Sequence, residues 1–128
     1  MEHQWTNFDE GNSIGTKGSE NGTITFDLEN NFGARITIEK NGDIAPFAVT
    51  LGIYGLMFHT DFCGSEKESQ IMMEKYKKQI DLVIKHHETP ENSRNSQWKG
   101  KLNTLLESFT QGWKTHSNTV AKVYVPPF

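Results

Sequence analysis

A chain of 128 residues, 11% of them aromatic, is long enough for one self-supporting core and too rich in large apolar side chains to stay disordered. Its formal net charge of −3, pI near 5.9 and pair of arginines argue against nucleic-acid binding. Its single cysteine excludes an intrachain disulfide, which fits a reducing compartment.

The charge is uneven. Residues 1–64 carry three Lys/Arg against nine Asp/Glu, whereas residues 65–128 carry ten against seven. Such asymmetry can steer a partner. It also arises when strands and helices simply carry different solvated residues. The N-terminal residues have neither the basic stretch nor the apolar stretch of a secretory signal. The chain therefore reads as a soluble cytoplasmic protein of one domain, 1–128, with residues 1–22 partly loop-like.

Trp5 and Phe8 suggest that the extreme N-terminus is pinned to the body, because aromatics are costly to leave in water. Glu10–Gly22, rich in Gly, Asn, Ser and Glu, reads as a long loop or mobile segment. Thr23–Glu29 alternates with period two, predicting a strand with Ile24, Phe26 and Leu28 on one face. Asn30-Asn31 offers a turn, and Ala34–Lys40 alternates again with Ala34, Ile36 and Ile38 inward. Asn41-Gly42 is a tight-turn dipeptide.

The run Ile44–Thr60 has no charged residue and reads as one long strand covered on both sides. Val49, Leu51, Ile53 and Met57 share one parity; Tyr54, Leu56, Phe58 and Phe62 share the other. Gly52 and Gly55 suggest a bulge within it. The run is too short and too interrupted for a membrane span.

Ser65-Glu66-Lys67-Glu68 matches a capping box and opens a helix over about 65–88. Its apolar stripe is Met72 or Met73, Tyr76, Ile80, Val83 and His87. Lys67, Lys75, Lys77, Lys78 and Lys85 interleave with acids, as on a solvated face. A second helix over 96–111 presents Trp98, Leu102, Leu105, Leu106 and Phe109, with Trp113 just beyond. Gly112 could end it, and Thr119–Val125 reads as a further strand. The expected fold class is α+β: an antiparallel meander of three or more strands with two helices on one face. The expected core includes Ile36, Ile53, Phe58, Tyr76, Ile80, Leu102 and Leu105.

Chemistry-bearing residues crowd together only at His59, Asp61 and Cys63, which alternate and so share one face of a strand. They could form a nucleophile–base pair with an orienting carboxylate, or ligate zinc. The plainer alternative is a strand end where His59 and Asp61 meet solvent and Cys63 fills a small gap. His86 and His87 diverge by about 100° on a helix, with His86 outward. A site joining His87 to His59 and Cys63 is disfavoured, because a helix of about 22 residues separates them by about 33 Å. Tyr54, His59 and Glu107 can be combined into an acid–base set only on paper. No phosphate loop, metal-binding or nucleophile motif is present, and no cofactor is indicated.

These features favour a non-enzymatic protein-binding module of inhibitor or immunity type, with Trp5, Phe8 and Tyr54 as interface candidates. The alternative is a small hydrolase or metal-dependent enzyme centred on His59, Asp61 and Cys63. The partner would be another protein or a second copy in a homodimer, with neither nucleic acid nor membrane involved. A sheet face without helices must be covered by that copy, by the N-terminal segment or by the C-terminus.

Overall fold

A computed structural model describes residues 4–111. The strands are β1 (Thr6–Asn7), β2 (Thr23–Glu29), β3 (Ala34–Lys40), β4 (Phe47–Ile53) and β5 (Met57–Cys63). The helices are α1 (Glu66–His86) and α2 (Ser96–Gln111). The five strands pair in chain order, each antiparallel to the next. This is an α+β, two-layer arrangement: α1 lies over β3 and β4, and α2 packs on α1 and β5. No helix among the described residues is long and apolar enough to cross a membrane.

The inner, helix-facing side of the sheet holds Ala34, Ile36 and Ile38, then Val49, Leu51 and Ile53, then Met57 and Cys63. From α1 come Met72, Met73, Tyr76, Ile80, Val83 and Ile84, and from α2 Leu102, Leu106 and Phe109. Ile36, Leu51, Met72, Ile80 and Val83 are fully enclosed. Burial on this scale stabilises by about 25 cal/mol per Å² of apolar surface. Leu105 packs against this cluster only partly buried.

At the α1 N-terminus the Ser65 half of the expected capping box forms, while Glu68 Oε1 accepts from Ser65 Oγ at 3.2 Å. Ser65 Oγ accepts from Glu68 N–H at 3.1 Å, a cap that contributes about 1 kcal/mol. Asn95 Oδ1 does the same for Trp98 N–H at 2.9 Å and opens α2.

At several places the chain departs from what its local pattern suggests. The run Ile44–Thr60 is two strands, because Tyr54-Gly55-Leu56 reverses the chain. Gly55 sits at φ +77° and Leu56 N–H donates to Ile53 O at 2.9 Å. Ile53 pairs with Met57, so the hairpin preserves parity and the inward set continues through His59, Asp61 and Cys63. A bulge between Ile24 and Phe26 sends Ile24 to the opposite face from Phe26 and Leu28. Asn41-Gly42 belongs to a longer link ending at Phe47, closed by Asn41 N–H to Pro46 O at 2.7 Å. Phe58 is 44% exposed on the outer face, not core. Gly112, Trp113 and the expected strand Thr119–Val125 lie outside the described residues.

Glu10–Gly22 is a chain of hydrogen-bonded turns. Gly15 N–H donates to Ile24 O at 2.8 Å, Ile24 N–H to Thr16 O at 2.9 Å, and Gly18 N–H to Gly22 O at 2.8 Å. Glu39, on the outer face of β3, is buried and clamps this segment. Its Oε1 accepts from Glu20 N–H at 3.0 Å and Gly22 N–H at 2.9 Å. Gly18 allows the approach: a Cβ there would sit 2.6 Å from Glu39 Oε2.

Candidate functional site

His59, Asp61 and Cys63 do share one face, but it is the inner one. All three are buried, which corrects the picture of His59 and Asp61 at the solvent boundary. His59 Nε2 lies 2.8 Å from Asp61 Oδ2, an electrostatic contact without an aligned hydrogen bond. The ring meets Tyr76 of α1 edge-on, with centroids 6.2 Å apart. Cys63 contacts Ser65 O at 3.7 Å. Burial pushes its thiol up to about 11, and Glu68 and Asp61 add to the rise. Burial and the neighbouring carboxylates thus disfavour the thiolate, the form in which a cysteine acts as a nucleophile. Among the described residues no group of three His, Cys, Asp or Glu side chains is placed to hold a metal ion.

The other chemical combinations disperse. Tyr54 stands 90% exposed on the β4–β5 turn, His59 is in the core, and Glu107 is exposed on α2. His87 lies at the far end of α1 from Cys63. His86 is half-buried, not outward-facing. It stacks on Trp98 with centroids 4.8 Å apart and planes 12° apart, and its Nε2 meets Trp98 O at 2.8 Å.

The outer sheet face carries a polar row that sequence reasoning missed. Asp27, Thr37, Thr50 and Thr60 lie side by side across β2–β5. Asp27 is fully buried and receives Arg35 Nε at 2.8 Å, Arg35 Nη2 at 2.6 Å and Thr37 Oγ1 at 3.2 Å. Burial raises the Asp27 carboxyl, but the hydrogen bonds led by Arg35 outweigh it and hold it below its ordinary value. The Arg35 guanidinium also lies 3.5 Å from the centroid of the Phe8 ring. Thr50 and Thr60 share a 2.9 Å hydrogen bond.

Beside this row, Arg35, Gly52 and Phe58 are cross-strand neighbours. Gly52 leaves a gap in the side-chain layer, since a Cβ there would find its nearest atom, Phe58 Cβ, 3.8 Å away. A trough of about 490 Å³ runs over the outer face, walled on one side by Lys17–Glu20. A second hollow of about 320 Å³ shares Arg35, Gly52 and Phe58 with it and reaches Tyr54. The N-terminal segment therefore covers part of this face through Phe8 and residues 17–20. Trp5 packs on the inner core instead, partly buried.

The acidic half spends three of its nine carboxylates internally. Asp27, Glu39 and Asp61 are all buried, so the charge count overstates the surface field. Paired acids on an outward strand position leave no mark in the alternation pattern, because period two reports the face and not the cover.

A third feature sits where α1 meets α2. Arg94 Nε donates to Thr89 O at 3.1 Å and Nη2 to His87 O at 3.0 Å, while its guanidinium lies 4.8 Å from the Trp98 ring centroid. Burial lowers the His87 pKa, and the charges of Arg94 and His86 lower it further, so the imidazole is neutral near pH 7. The only sequence signal was a lone arginine in a polar linker.

The chain matches no protein-family model, no curated protein and no solved structure, so its geometry alone bears on function.

Proposed function

We propose that this protein is a non-enzymatic protein-binding module, of inhibitor or immunity type, docking through the outer sheet face around Gly52. The observation that carries this is the exposure of Tyr54 (90%) and Phe58 (44%) beside the gap at Gly52 and the braced Arg35. Tyrosine and arginine are enriched among residues that dominate binding energy, and the gap accepts an inserted side chain. Asp27 already neutralises Arg35, so the fitting partner presents an apolar, protruding element. Phe8 packs against the Arg35 guanidinium at 3.5 Å and helps to fix it on that face.

A photo-crosslinking residue at position 54 tests this, with position 82 on the helix layer as control. A discrete adduct from 54 and none from 82 supports docking here, and Gly52→Leu, which fills the gap, abolishes the adduct. Equal adducts from both positions, or indifference to Gly52→Leu, refute it. An adduct of twice the chain mass identifies the partner as a second copy. The competing reading, a small hydrolase or metal enzyme at His59, Asp61 and Cys63, requires a thiolate or a bound metal and is checked by thiol titration and metal content.

A further inference from the structure

We propose that the cleft between the β4–β5 turn and the start of α2 binds a small organic acid. Its apolar body would rest on Leu56, Trp98 and Leu102, with its carboxylate between Arg94 and Lys99. This site is separate from the outer-face docking surface and does not rest on it.

The cleft measures about 580 Å³, within the range of small-ligand sites. Leu56 and Leu102 are buried and form an apolar floor. Trp98 makes a rigid wall: His86 stacks on it, and its Nε1–H donates to His86 O at 3.0 Å. Arg94 is fixed before any ligand arrives, by two backbone carbonyls and the Trp98 ring. A braced guanidinium loses little freedom when it receives an anion. Lys99 adds a second positive charge, and among the described residues Glu91, exposed at the rim, is the only acid lining the cleft. The first turn of α2 contributes Trp98 and Lys99, and its positive dipole end favours an anion.

His87 also lines the cleft. Its Nε2 is shut from solvent yet has no hydrogen-bond partner, an expensive state for a ring nitrogen. Phe32 and Trp98 hold the ring by its edges, with centroids 5.9 and 5.2 Å away. A water-sized atom does not reach this nitrogen from the cleft, so the anion is held by Arg94 and Lys99. A braced cation beside an apolar floor is the usual design of a specific small-molecule site.

The test uses the whole chain, ¹⁵N-labelled, titrated at neutral pH with phenylacetate, 2-phenylethanol and 2-phenylethylamine. These share one apolar body and differ in charge. Phenylacetate should give saturable shifts at the Trp98 indole and Lys99 amide, the alcohol should bind about tenfold more weakly, and the amine should not saturate. Arg94→Gln and Lys99→Gln should each weaken phenylacetate by about fivefold or more. Arg94 also braces the linker, so the exposed Lys99 provides the variant that stays folded. Absence of saturation by phenylacetate up to about 20 mM overturns the proposal. So does equal binding of acid and alcohol, or a Lys99→Gln chain that binds as the parent does.

Discussion

Removing the Glu39 carboxylate should release the N-terminal segment from the sheet. Glu39 lies on the outer face of β3, is 1% exposed, and accepts two backbone N–H groups through Oε1. A hydrogen bond to a charged acceptor contributes about 1.5–3 kcal/mol, so the two together amount to about 3–6 kcal/mol. Two effects offset this. Glu20 is half-buried and its freed N–H regains water, and the desolvation cost of the carboxylate disappears. Glu39→Ala should therefore cost about 2–4 kcal/mol in urea denaturation. Glu39→Gln, which keeps an acceptor oxygen but not the charge, should cost about 1 kcal/mol. Amide exchange locates the effect: Gly18, Glu20 and Gly22 should lose protection while the β3–β4 ladder keeps its own. Gly18→Ala should act on the same contact, because its Cβ would displace a carboxylate held by two bonds. A loss below about 1 kcal/mol in Glu39→Ala, with Gly22 exchange unchanged, would refute the clamp.

Ile80→Ala should destabilise by about 2–5 kcal/mol in the same assay, because Ile80 is fully enclosed between sheet and helices. Cys63 should resist iodoacetamide at pH 7 in the folded chain and react readily in urea, since its thiol titrates near 11. Rapid alkylation of folded protein would contradict that enclosure. Two depressed groups set the acid limb of stability. His87 is lowered from 6.5, so its contribution is complete above that pH and is lost as pH falls below it toward the folded value. Asp27 is lowered from 3.8, so its contribution is present above that pH and lost below it as the folded carboxyl protonates. Melting temperature against pH should show both steps, and Asp27→Asn should flatten the lower one.

The helices were legible from local signals alone. The Ser65 cap, the 3.6-residue stripe through Tyr76, Ile80 and Val83, and the Trp98–Phe109 stripe each depend on neighbours within a few turns. The meander and the inward set of β3 and β4 followed from period-two alternation, which survives in any sheet with one packed face. The sharing of one face by His59, Asp61 and Cys63 was also legible, because alternate residues of one strand point to the same side.

What covers each face was not written locally. Alternation says that Thr37 and Glu39 point away from Ile36 and Ile38, but not that residues 17–22 fold back over Glu39. Nor does it show that Arg35 neutralises Asp27. The bulge at Ile24–Phe26 and the reversal at Tyr54–Leu56 were settled by pairing with neighbouring strands, which local propensity does not encode. The cleft joins a hairpin turn, through Leu56, to the end of α1 and the linker after it, through His87 and Arg94, which lie far from that turn in sequence. Tertiary packing alone brings them together, because burial and charge pairing act between segments whose separation in sequence leaves no periodic trace.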